Sequence, residues 1–227
     1  MRSEREKHPR ALPRAGVVSE YIKFSCERVA AGSASRLRRG YGGQAFGGLA
    51  DLNAYRRKLL DLSLIGIDSN GVGFGNLSVR DGATDEFYIT GSATGGIHEL
   101  TRAHCAKVVA CDFERNLVRY KGPATPSSES LTHAAIYASD AGAGAVIHCH
   151  DSKLWATALN QAPTTSKAAE YGTPELANEI MQLFTRTDAQ SRKIVVMAGH
   201  EGGIVTFGKD LEDAFAVLVR ERTKIYR

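Results

Sequence analysis

Four short segments between residues 76 and 120 constrain the fold more than any other feature: NLSVR (76–80), EFYIT (86–90), KVVACDF (107–113) and NLVRY (116–120). Each has strand character, and tight turns such as Asp81-Gly82 separate some of them, as antiparallel hairpins require. Helical periodicity flanks this block. Before it, Leu52, Tyr55, Leu59 and Leu62 recur at helical spacing, with Gly66 as a stop. After it, residues 129–142 read as a helix ending at Gly142. Residues 152–160 and 174–184 read as two more, the second opened by Pro174 at a first-turn position. Residues 146–150, 193–198 and 202–208 read as strands. The stretch 210–227 reads as a closing helix with Asp210 at its N-cap and Asp213 in a capping-box-like place three residues on. Hairpins set among helices imply α/β layers around a sheet that is not purely parallel.

With 227 residues, 43% hydrophobic and 24% charged, the chain can bury a full core without disulfide staples. Residues 1–16 are expected to be a disordered tail: the basic start has no apolar stretch of the targeting type. Residues 17–227 are then a single domain. Within it, residues 17–30 carry both strand and helix character. The Gly-rich stretch from Gly32 to Gly48, with Arg36, Arg38 and Arg39, reads as a solvated loop. A net charge of +4 suits a small anionic substrate but is too weak to indicate nucleic acid. No run of 18 apolar residues is present, which excludes a transmembrane helix and argues against a membrane partner. The cysteines show no CxxC spacing. Cys105, Cys111 and Cys149 sit in apolar surroundings and read as reduced core residues of a cytoplasmic protein.

Four stretches bear chemistry. VIHCHD (146–151) places His148 and His150 on one face of a strand and Cys149 on the other. Two such imidazoles are half of a metal site, or else one core histidine and one surface histidine. GHEGG (199–203) could bring a third imidazole, His200, with Glu201 as a further ligand or acid/base group, or could be an ordinary loop. Ser127, Ser128 and Glu129 stand where a helix begins, a place that attracts anions and that equally suits plain capping residues. GFGNLSVR (73–80) and YITGSATGG (88–96) are glycine-interrupted strand ends carrying Asn76, Thr90 and Ser92. Their turns could wrap a phosphate or be turns only.

Taken in order, GN(L)S, (I)TG, PSSE, HxH, GHxxG, FG and EDA resemble the class II aldolase/adducin family over about residues 50–227. The resemblance implies a three-layer α/β/α sandwich around a mixed, largely antiparallel sheet, assembled as a homotetramer. It implies that His148, His150 and His200 ligate a divalent metal, most often Zn2+, with Mn2+, Co2+ or Fe2+ as alternatives. Glu129 matches the family's acid/base carboxylate. Gly75, Asn76, Thr90, Gly91, Ser127 and Ser128 match the phosphate cradle. The implied activity is that of a metal-dependent lyase, an aldolase acting on a small phosphorylated sugar or related carbonyl compound through a metal-stabilised enediolate. Epimerisation, dehydration, decarboxylation and Fe(II)-dependent oxygenation occur on the same scaffold. Adducin heads, which usually lack the histidines, are non-catalytic modules.

The sequence departs from the family pattern in three places. Glu201 separates His200 from Gly202, where aldolases carry His-Gly directly, so Glu201 is a candidate site residue. No tyrosine stands where the family's catalytic one would; Tyr171 and Tyr226 are the candidates for its place. The region around residues 21–27 (YIKFSCE) lies outside the aldolase pattern.

Overall fold

The strand that carries the two histidines is buried on both faces, and its side chains divide the molecule. In β8 (Ala145–His150), Val146 points into one apolar cluster, whereas Ala145, Ile147 and Cys149 point into another. Alternation at a period of two thus puts one sheet between two cores. The computed structural model describes residues 22–29 and 46–226. The tail 1–16 and the loop Gly32–Gly48 fall wholly or largely outside the described residues.

The strands are β1 (Ser25–Arg28), β2 (Gly66–Ile67), β3 (Gly73–Phe74), β4 (Asn76–Arg80), β5 (Phe87–Thr90), β6 (Cys105–Asp112), β7 (Leu117–Lys121), β8, β9 (Ile194–Val196) and β10 (Gly203–Gly208). Eight of them form one sheet in the order β1-β7-β6-β5-β4-β8-β10-β9; β2 and β3 make a separate hairpin. All pairings in the large sheet are antiparallel except β1 with β7. The four segments 76–120 are therefore the meander expected of them, and residues 25–28 settle as an edge strand.

Helices cover both faces. α2 (Ser130–Ser139) and α4 (Pro174–Arg186) bury Leu131, Ile136, Leu176 and Ile180 against Val146, Val205 and Phe207. On the other face, α1 (Leu49–Asp61), α3 (Ser152–Ala158) and α6 (Leu211–Thr223) bury Leu52, Leu59, Leu154 and Leu218 against Ile147, Cys149 and Ile204. A short α5 (Ala189–Arg192) precedes β9. The three-layer arrangement is the one expected.

Local details differ from the sequence reading. α1 ends at Asp61, and Ser63 with φ 56° makes the left-handed turn, so Gly66 begins β2 instead of stopping the helix. Tyr55 is half-buried and Leu62 is 39% exposed; the inward position between Leu52 and Leu59 belongs to Arg56, which is 0% exposed. α2 ends at Ser139, before Gly142. Asp210 caps α6 by accepting from the Asp213 amide at 2.8 Å, but the Asp213 carboxylate takes the Lys209 amide and Lys193, so no reciprocal box forms. All four cysteines are free, with Cys105 and Cys149 buried, Cys111 half-buried and Cys26 exposed. Among the described residues no helix is long and apolar enough to cross a membrane.

Candidate metal centre and anion cradle

His148 and His150 project together from the end of β8, as their spacing demands. His200 reaches them because β10 pairs antiparallel with β8, with Gly203 opposite His150. The tight turn before β10 is closed by Gly203 N–H donating to the His200 carbonyl at 2.8 Å, which fixes His200 at the same sheet end. The ligand nitrogens of the three histidines lie within 4.8 Å of one another, and the Nε2 atoms of His150 and His200 are 2.9 Å apart. Nitrogens around one tetrahedral zinc, at Zn–N distances of about 2.0–2.1 Å, lie about 3.3 Å apart. Burial lowers the pKa of all three. His148, which also senses His150, His200 and His133, falls well below its ordinary value. His150 falls to about 4, and His200, beside His150 and Lys23, to about 3. Neutral imidazoles with convergent lone pairs are the donor set a divalent cation needs.

Asp151 anchors this strand end. It caps α3 by accepting from the Leu154 amide at 2.9 Å, and it also accepts from Arg222 at 2.7 Å and the Tyr226 hydroxyl at 2.8 Å. Burial opposes ionisation of Asp151, but the Leu154 amide, Tyr226 and Arg222 together outweigh it and hold the carboxyl below its ordinary value. Its side chain is 2% exposed and that of Arg222 19%. Asp151→Ala is expected to cost about 2–4 kcal/mol in denaturant unfolding at pH 7, toward the lower side of fully buried pairs. Because the folded pKa is depressed, this contribution is present at neutral pH and fades as pH falls through the folded value, so the deficit should shrink in acid.

Glu129 stands at the N-cap of α2 yet makes no capping bond with its side chain; the nearby turn is held instead by Ser127, whose Oγ accepts from the Glu129 amide at 3.3 Å. The carboxylate is thus free for other work. Its Oε2 accepts from Thr132 at 2.6 Å, while Oε1 is buried with no partner among the described residues. Burial raises its pKa to about 7 against the opposing effects of Thr132 and Lys23.

The three histidines, Glu129, Ser127 and Ser128 line one cleft of 540 Å³. Gly75, Asn76 and Gly91 line it too. Gly75 has φ 76°, and a Cβ there would lie 2.3 Å from Ile65, so only glycine fits. Asn76 leaves a buried Oδ1 without a partner. Thr90 corrects the sequence reading: it is fully buried, does not line the cleft, and its hydroxyl accepts from the Leu77 amide at 3.3 Å. Pointing inward from a central strand, it serves the sheet. Glu201 is likewise exposed and outside the lining, because the turn through Gly202 at φ 78° leaves it on the surface. Tyr171 lines the cleft with its ring 4.8 Å from that of His200; Tyr226 does not line it, its hydroxyl being held by Asp151.

Sequence reasoning missed the tip of the β2–β3 hairpin and Lys23, whereas Ala93–Gly95 belong to the 88–96 stretch it singled out. The β2–β3 hairpin and residues Ala93–Gly95 wall the cleft. The hairpin's signal was its run of glycines at 71, 73 and 75: Gly73 packs on Gly95, and a Cβ on Gly95 would meet the Gly66 carbonyl at 2.1 Å. Lys23 lies over Tyr171, 4.1 Å from the ring centroid, and pairs with Glu170 at 2.6 Å. It comes from the segment that departs from the family pattern.

Fold and site together define a three-layer α/β protein with a histidine cluster and a buried carboxylate at one end of its sheet. Residues 66–221, more than half of the chain, match the family described as Class II Aldolase and Adducin N-terminal domain. The protein belongs to the class II aldolase/adducin family. Among solved structures it is similar to an L-fuculose 1-phosphate aldolase at 26% identity and a TM-score of 0.57, covering 78% of this chain and 82% of that one. It shares its fold with YgbL from Klebsiella pneumoniae, a putative aldolase/epimerase/decarboxylase (18% identity, TM-score 0.57, 77% and 85% covered). It also shares it with the L-fuculose-1-phosphate aldolase of Thermus thermophilus (19%, 0.55, 78% and 92%). No curated protein gives a significant sequence match.

Proposed function

We propose that the protein is a divalent-metal-dependent lyase that cleaves or forms a C–C bond in a phosphorylated sugar. The observation that carries this reading is the unpartnered Oε1 of Glu129 in the same cleft as three convergent neutral imidazoles. His148, His150 and His200 would hold the cation, with Zn2+ favoured by an all-nitrogen set. When bound, such a cation supplies Lewis-acid polarisation of a substrate carbonyl. Glu129, with a pKa of about 7, is half-ionised at neutral pH and so can both take and return a proton on carbon. Thr132 fixes one carboxylate oxygen and leaves the other free for that proton. Ser127, Ser128, Asn76 and the backbone around Gly75 and Gly91 bind the phosphate and so place the reacting carbon beside Glu129. The cytoplasmic setting and homotetrameric assembly belong to the same reading.

A second reading is another proton-transfer reaction at the same centre: epimerisation, dehydration or decarboxylation. It is favoured by the tyrosines, since among the described residues only Tyr171 lines the cleft and it stands outside the family's catalytic position.

The test is solvent-deuterium exchange into dihydroxyacetone phosphate, followed by NMR, with Zn2+, Mn2+, Co2+ or Fe2+ supplied in turn. Metal-dependent exchange supports the lyase; absence of exchange with every metal sinks it, and oxygen uptake with Fe2+ would point to an oxygenase instead. For the cradle, Ser127→Ala/Ser128→Ala is expected to weaken phosphoglycolohydroxamate by about 10- to 100-fold, the worth of one or two hydrogen bonds to a charged group. Equal affinity in calorimetry would remove the serines from the site.

A further inference from the structure

α1 carries a full positive charge into the interior. Arg56 is completely buried between Leu52 and Leu59, a position where a leucine would satisfy the core. Among the described residues no carboxylate pairs with it. The ionisable group that senses it is the Cys105 thiol, which burial pushes up to about 11 and so keeps neutral. A buried charge without a counter-ion is costly, and here two of the guanidinium nitrogens, Nε and Nη1, meet no acceptor among the described residues.

The third nitrogen explains the placement. Arg56 Nη2 donates to three carbonyls of one loop: Thr94 at 3.1 Å, Gly95 at 3.3 Å and Ile97 at 2.5 Å. One turn earlier, Asn53 holds the end of that loop through Leu100, donating at 2.8 Å and accepting at 2.9 Å. The loop is a wall of the cleft. Gly91 bridges to Pro126, and the Ser92 amide donates to the Thr125 carbonyl at 2.9 Å, which stitches the loop to Ser127 and Ser128. In a trans peptide the C=O and N–H point in opposite directions. Carbonyls of Thr94 and Gly95 drawn toward α1 therefore turn the Gly95 and Gly96 amides away from it. Neither amide has an acceptor among the described residues; Gly95 lines the cleft beside Gly73, another lining residue, whereas Gly96 lies against Ile67 outside the lining. A lining amide turned from α1 and backed by a buried cation favours an anion on the cleft side. Among the described residues the lining includes no lysine or arginine.

We propose that Arg56 is the positioning residue of the anion site, a buried positive charge that orients the 91–97 loop and is balanced by a phosphate bound on the cleft side. This rests on reading the cleft as a phosphate cradle. The experiment is calorimetric titration of the metal-loaded full chain with inorganic phosphate, alongside metal content and thermal midpoint. Arg56→Met should weaken phosphate by about 10-fold or more with metal content unchanged, and Arg56→Lys should recover much of the affinity. Cys105→Asp keeps Arg56 and gives it a counter-charge. It should raise the thermal midpoint relative to Cys105→Asn yet weaken phosphate by about 5-fold. That opposite movement is one a merely structural arginine would not produce, and it keeps the test sharp if Arg56→Met fails to fold. Phosphate affinity within twofold of wild type in folded Arg56→Met or in Cys105→Asp, while Ser127→Ala/Ser128→Ala loses it, overturns the role of Arg56 and leaves the cradle standing. Unchanged affinity in the serine variant overturns the cradle, and this role with it.

Discussion

Glu129→Gln is expected to keep the metal and lose proton exchange at the substrate carbon, by about 10²- to 10⁴-fold, the usual worth of a positioned general base. Glutamine preserves the shape and the contact with Thr132 but cannot ionise. The raised pKa adds a second signature. An ordinary carboxyl has a value of 4.5 and Glu129 one of about 7, so the folded protein holds a proton that the unfolded chain releases. Stability conferred by the neutral form is complete below pH 4.5 and is lost as pH rises through about 7. Metal-free Glu129→Gln should therefore gain stability over wild type across that window and match it in acid. Urea midpoints between pH 4 and pH 8 would check this, and equal exchange rates in the two proteins would remove Glu129 from the chemistry.

The second large effect is metal loss on His148→Ala. About 10–16 kcal/mol for a four-ligand structural zinc is about 3 kcal/mol per ligand, so removing one of three imidazoles should loosen the metal by about 10²-fold or more. Metal content after dialysis against a weak chelator reads this directly; an unchanged content would exclude the triad as the site. The histidines also predict an acid sensitivity. Their folded values, about 4 for His150 and about 3 for His200, lie below the ordinary 6.5. Below pH 6.5 the unfolded chain takes up protons that the folded one refuses. The metal-free wild type should thus lose stability as pH falls, and His148→Ala should flatten that loss, since it removes an imidazole that burial and its neighbours hold well below the ordinary value.

Much of this was legible in the sequence because period and chemistry coincide. His148 and His150 alternate with Cys149 on a strand whose other residues are all apolar, so the face the two imidazoles share could be read from spacing alone. The meander was legible for the same reason. What escaped depends on contacts distant in the chain. Thr90 looks like a cradle residue by its neighbours Gly91 and Ser92, yet the side it faces is decided by β4, and it turns inward to the Leu77 amide. Arg56 sits in a run of alternating leucines and charges where helical spacing favours Leu62 for the core; only the carbonyls of a loop some 40 residues later make a buried arginine tolerable there. Glu201 looked like an insertion into the site, but the left-handed turn at Gly202 directs it outward.

The sheet has two very different margins. At one, β9 has three residues, all buried, and its outer side is already taken: Val196 donates to the Pro163 carbonyl at 2.8 Å and accepts from the Thr165 amide at 3.0 Å. At the other, β1 has four exposed residues, Ser25 to Arg28, two of them charged, with Glu27 paired to Arg119. A short covered margin and a short charged one are both poor templates for strand addition by another chain. Neither invites runaway sheet extension, even though the strands between them are among the most apolar in the protein.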